Sequence, residues 1–94
     1  GDRVRLLWTP STGPDTVGFN VYRSTRPDGL FQCVNPRLLP FAEGQDHYTF
    51  TDATAPGATL FYQVEAVGAD GRRERSERVR IGAARKLSRV ARSK

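Results

Sequence analysis

The sequence predicts an all-β domain built as an antiparallel sandwich or barrel. Two observations carry that expectation. Apolar and polar residues alternate with period two in six short segments, the pattern of strands with one buried face. Turn-forming Pro, Gly, Asp and Asn cluster between them, and no segment before residue 83 shows convincing helical spacing. The length agrees: 94 residues suit one domain, and a chain of that size buries roughly 60–70% of its unfolded surface. Hydrophobic residues at 37% and aromatics at 10% exclude disorder over most of the length.

Val4, Leu6 and Trp8 alternate with Arg3, Arg5 and Leu7 to give a first strand. The stretch TPSTGPDT, residues 9–16, is a loop. Phe19 and Val21 alternate with Asn20 and Tyr22 in a second strand. Pro27-Asp28-Gly29 turns the chain, because Pro presets φ and Gly tolerates positive φ. Residues 30–34 are expected as a short third strand. NPRLLPFAEGQD, residues 35–46, is expected as an ordered loop whose Leu38, Leu39 and Phe41 plug an open end of the core. Residues 47–51 alternate again, with Tyr48 and Phe50 inward. After a turn at residues 54–57 comes the clearest strand, where Leu60, Tyr62, Val64 and Ala66 alternate with Phe61, Gln63, Glu65 and Val67. Ala69-Asp70-Gly71 is a hairpin turn, and Val79 and Ile81 mark a last strand with Arg78 and Arg80 on its other side.

The final stretch AARKLSRVARSK differs in character. Ala84, Leu87 and Ala91 fall at helical spacing beside Val90, and the rest is basic or small. It reads either as a tail or linker to another domain, or as a short helix for a membrane surface or a partner. The organisation is therefore a β domain over residues 3–82 and a basic tail over residues 83–94.

Charge follows the same division. Residues 1–71 hold five basic and eight acidic side chains, net −3, whereas residues 72–94 hold ten basic and two acidic, net +8. That asymmetry can attract an anionic partner such as an acidic glycan, or simply solvate a tail. Nucleic acid is disfavoured, because no stacking platform with basic flanks accompanies the charge. No apolar run approaches the 18 or so residues a transmembrane helix needs. The chain opens at GDRVRLLW without a leader and is expected to be a piece of a longer protein.

The search for chemistry gives little. His47 is the one histidine and Cys33 the one cysteine, so no zinc set and no internal disulfide can form. Cys33 is either a half-buried small hydrophobe or a site of intermolecular pairing. No serine sits in a nucleophile-elbow context and no glycine-rich loop joins a strand to a helix, so neither catalysis nor a cofactor is expected. What remains is a surface. Tyr22 and Phe61 should share the outer face of neighbouring strands with Arg78 and Arg80, where arginine over an aromatic ring gives cation–π contacts. Arg72, Arg73 and Arg75 near the hairpin tip can grip carboxylate or phosphate groups. Tyr22, Phe61, Arg72, Arg73, Arg75, Arg78 and Arg80 are the candidate binding residues.

The motifs VRLLW, GFNVYRS, the Pro-Gly turn and FYQVEAVGADG, in that order and spacing, resemble a fibronectin type III domain. Trp8, the Phe19–Val21 pair, and Tyr62, Val64, Ala66, Val67 and Gly71 match the family pattern. The middle stretch GLFQCVNPRLLP is similar to a variant found in bacterial secreted and surface proteins. The resemblance implies an immunoglobulin-like antiparallel β-sandwich acting without catalysis as a spacer or protein-interaction module, outside the cell or at its surface. Its partners would be other proteins or neighbouring domains of the parent chain. The chain departs from the pattern twice. Leu60 stands where a corner tyrosine is usual, so that hydrogen bond is lost. The first strand is missing or truncated, which would leave a sheet edge open to self-association or to filling by the tail.

Overall fold

The structure, a computed structural model, describes residues 3–10, 15–53, 59–76, 78–81 and 87–89. Within them the chain forms nine strands and no helix. They are β1 (Val4–Trp8), β2 (Thr16–Ser24), β3 (Gln32–Cys33), β4 (Leu39–Pro40), β5 (Tyr48–Asp52), β6 (Leu60–Gly68), β7 (Arg73–Arg75), β8 (Val79–Ile81) and β9 (Leu87–Arg89).

Two sheets result. The smaller has the order β5-β1-β9, and the larger has the order β3-β2-β6-β7. In the larger sheet β4 continues the β3 side of β2, and β8 continues the β7 side of β6. All pairings are antiparallel except β1 with β9, which is parallel. The long β2–β6 pair is the spine of the larger sheet, running from Thr16 opposite Gly68 to Ser24 opposite Phe61.

Alternation decides what lies between the sheets. Val4, Leu6 and Trp8 of β1 and Tyr48 of β5 meet Phe19 and Val21 of β2, Leu60, Tyr62 and Val64 of β6, and Ile81 of β8 in one buried cluster. This is the arrangement of a β-sandwich, with apolar burial stabilising by roughly 25 cal/mol per Å². Trp8 is stacked on Tyr48 and meets Phe19 edge-on, with ring centroids 6.1 and 5.7 Å apart. Phe41 closes the same aromatic group from the connecting loop, 6.2 Å from Tyr48. The Tyr48 hydroxyl then ties that loop down, accepting from the Ala42 N–H and donating to the Ala42 carbonyl, both at 3.0 Å.

Several expectations need correction. Of residues 30–34, Gln32–Cys33 form the ladder with β2 and the Val34 N–H donates to the Val21 carbonyl at 2.8 Å, while Leu30 is almost fully exposed. Leu39 and Phe41 lie against the core, but Leu38 is 42% exposed. There is a local cause: the chain crosses β2 at Gly18, where an added Cβ would meet Leu38 Cγ at 2.6 Å and the Leu39 carbonyl oxygen at 2.7 Å. Only glycine permits that approach, and β4 pairs there. Cys33 is exposed rather than a half-buried hydrophobe, since it points to the outer face of an edge strand.

The tail supplies the remaining difference. Leu87–Arg89 is extended, not helical, and pairs with Arg5–Leu7 of β1. Backbone groups on the side of β1 away from β5 find partners there, so β9 covers that edge over Arg5–Leu7. The turn at residues 54–57, residues 11–14 of the expected 9–16 loop and the rest of the basic tail lie outside the described residues, and Thr16, expected in that loop, begins β2.

Candidate interaction face

The outer face of the larger sheet is organised around one carboxylate. Glu65 lies on β6 directly opposite Asn20 of β2 and Arg75 of β7, so period two aims all three side chains at the same face. Glu65 Oε1 accepts from Asn20 Nδ2 at 3.2 Å, from the Tyr22 hydroxyl at 3.0 Å and from Arg73 Nη1 at 3.0 Å. Its Oε2 accepts from Arg75 Nε at 3.4 Å. The Arg75 guanidinium also lies over the Tyr22 ring, 3.9 Å from the centroid. Glu65 is only 3% exposed, while Arg73 and Arg75 are 56% and 42% exposed. A buried anion thus holds two solvent-facing cations in place.

The electrostatics match that geometry. Burial alone pushes the Glu65 carboxyl up, but hydrogen bonds from Asn20, Tyr22 and Arg75 and the charge of Arg73 outweigh it, leaving it below its ordinary value. The Tyr22 hydroxyl is pushed up, first by burial and then by the hydrogen bond it donates to Glu65. The network continues sideways. Asn35 is buried, and its Nδ2 donates to Asn20 Oδ1 at 2.9 Å and to the Arg37 carbonyl at 2.8 Å. Its Oδ1 accepts from the Val21 N–H at 2.7 Å and from Cys33 Sγ at 3.1 Å.

The hairpin after β6 sets the register that makes this possible. Gly71 N–H donates to the Gly68 carbonyl at 3.0 Å and Gly68 N–H to the Arg72 carbonyl at 2.8 Å. Gly71 sits at φ +88, the left-handed conformation that closes a three-residue hairpin loop. Asp70 Oδ1 caps the turn by accepting from the Arg72 N–H at 3.0 Å.

Of the candidate residues, Tyr22, Arg73 and Arg75 form one unit. Arg78 lies on the same face but over Phe31, 5.5 Å from the ring centroid, rather than over Tyr22 or Phe61. Phe61 is half-buried and stands opposite Arg80. Arg72 is separate: it faces Asp70 at 3.9 Å and lines a shallow hollow with Asp15, Thr16 and Glu74. His47 is exposed, and its Nδ1 is 3.0 Å from Thr9 Oγ1.

Sequence reasoning placed Glu65 on this face without foreseeing its burial. It also missed a second acidic cluster, between the sheets. Asp52 at the end of β5 accepts from Arg23 Nη1 at 2.6 Å and from the Tyr62 hydroxyl at 2.7 Å. Burial, and then the hydrogen bond to Asp52, push the Tyr62 hydroxyl far up. Leu60, two residues before Tyr62, is buried in the core and carries no hydroxyl to share in this bond. Among the described residues, no group of three or more His, Cys, Asp or Glu is placed to hold a metal ion, and no helix is long and apolar enough to cross a membrane.

No family model, curated protein or solved structure matches this chain.

Proposed function

We propose that the chain is a non-catalytic module of the fibronectin type III kind, serving as a spacer and protein-interaction unit in a larger secreted or cell-surface protein, of bacterial type. The strand order supports the family reading: β5 and β1 in one sheet and β2, β6 and β7 with β8 in the other follow the immunoglobulin-like arrangement. The observation that carries the spacer role is the parallel pairing of β1 with β9. The first and last described strands run side by side in the same direction, so the chain enters at one end of the sheet and leaves toward the other. Nine-residue strands such as β2 and β6 span about 27 Å. That exceeds the two shorter extents of the molecule, 25 and 23 Å, so its 37 Å axis follows the strands. Modules joined through such ends line up rather than fold back.

The test is a tandem of two copies joined through their own flanking residues, measured by small-angle X-ray scattering. The expected result is a largest dimension about twice that of one copy, as end-to-end rods require. Side-by-side packing, with a largest dimension close to that of a single copy, overturns the spacer role.

A further inference from the structure

The hairpin fixes which way each peptide unit of β7 faces. Gly68 N–H donates to the Arg72 carbonyl and Ser76 N–H to the Val64 carbonyl, both at 2.8 Å. Residues 72 and 76 therefore point their backbone groups at β6. In an antiparallel pair such residues alternate with others whose N–H and C=O point away. Arg73, opposite Val67, and Arg75, opposite Glu65, occupy those alternate positions. Among the described residues β7 is the last strand on its side of the sheet. The two arginines whose guanidinium groups Glu65 holds on the outer face thus also present the open backbone edge.

We infer that this edge receives an extended acidic segment of a partner protein, added as a strand beside β7 with carboxylates at alternate positions facing Arg73 and Arg75. The inference deepens the interaction role proposed above by naming its edge and its ligand. The charge pattern chooses the occupant. The β7 sequence is Arg-Glu-Arg. A second copy paired in register would set arginine against arginine and Glu74 against Glu74, and like charges directly opposite are destabilising. The same pattern that keeps two copies apart complements a segment whose charges run acidic, neutral, acidic. Each guanidinium carries five N–H donors, and Glu65 engages one nitrogen of each arginine. Arg75 is already immobilised over Tyr22, so little further ordering is lost on binding. Exposed Arg78 and Arg80 on the same face add long-range attraction for an acidic chain. Main-chain hydrogen bonds to the edge and alternate side-chain contacts together make strand addition.

The experiment titrates the full isotope-labelled chain with two short capped peptides of identical composition. In one, threonine and glutamate alternate; in the other, the glutamates are adjacent. Backbone amide shifts, amide exchange and affinity are read by NMR. The expected result is exchange protection at the Arg73 and Arg75 amides by the alternating peptide alone. Its affinity should be roughly tenfold higher, the scale of two exposed ion pairs. In the variant carrying Arg73→Gln and Arg75→Gln, the two peptides should bind alike. The comparison of peptides on the unaltered chain stands even if that variant folds poorly. Equal binding of the two peptides to the unaltered chain overturns the inference. So does tighter binding of a heparin fragment without protection at Arg73 and Arg75, which assigns the face to a glycan. A failed peptide comparison leaves the tandem scattering result untouched, and a collapsed tandem leaves the peptide comparison untouched.

Discussion

Asp52 and Glu65 are the same chemistry in two settings. Each is a buried carboxylate, 3% exposed, that accepts from a tyrosine hydroxyl and from arginine. Asp52 sits between the sheets, and its partner Arg23 is itself only 20% exposed. Glu65 sits beneath the outer face, and its arginines reach solvent. The first cluster fastens β5 to β2 and β6, and so one sheet to the other. The second fastens nothing across the core and instead sets the direction of two cationic groups. Burial of the cation, rather than of the anion, separates a structural tie from a surface that is ready to bind.

The comparison breaks most sharply at Asp52. Asp52→Ala strands Arg23 in a place with little water and should cost about 3–5 kcal/mol, the range for breaking a buried pair. Urea denaturation measures it, and a loss no greater than that of the outer cluster would erase the distinction. Glu65→Gln should cost less, about 1–3 kcal/mol, because Arg73 and Arg75 can hydrate when their partner is neutralised. Acid sharpens the same point. The folded Glu65 carboxyl lies below its ordinary 4.5, so its contribution is present above that pH and is lost as pH falls through the folded value. Denaturation midpoints followed from neutral to acid pH should fall further for the unaltered chain than for Glu65→Gln. Gly71→Ala tests whether the hairpin sets the arginines. Its positive φ costs an L residue about 1–2 kcal/mol, and the Arg73 and Arg75 amide shifts should move with it. Tyr22→Leu removes both the ring face under Arg75 and the hydroxyl that donates to Glu65, and should cost about 0.5–1 kcal/mol more than Tyr22→Phe, which removes the hydroxyl alone. A double-mutant cycle with Arg75→Gln, run from Tyr22→Phe to Tyr22→Leu so that the hydroxyl is absent throughout, measures that contact.

Much of this is legible in the sequence. Period two alone selects Trp8, Phe19, Val21, Tyr62, Val64 and Ile81, and all of them are buried. The same rule reaches the inter-sheet cluster if it is followed two residues further. Arg23 continues the inward set of Phe19 and Val21, and Asp52 continues that of Tyr48 and Phe50. Their charges argue for strand ends, and only the fold reveals that two such ends meet. The outer cluster was readable from the hairpin: a turn centred on Asp70 places residue 65 across from residue 75 and residue 67 across from residue 73. What period two could not supply was β7 itself, since Arg-Glu-Arg has no apolar face to count. It also could not supply β9, whose three residues take their conformation from the neighbour they pair with. Nor could it find β4, which depends on the bare backbone at Gly18.

Tension applied along the chain would reach β1 at Val4 and β9 at Arg89. Because those two strands lie adjacent and point the same way, the force slides one along the other and stresses every hydrogen bond between them at once. Strands pulled from the same end would unzip one bond at a time. The Leu87–Arg89 segment is therefore a mechanical clamp as well as an edge cover, and its short ladder, not the larger sheet, is the first element to yield.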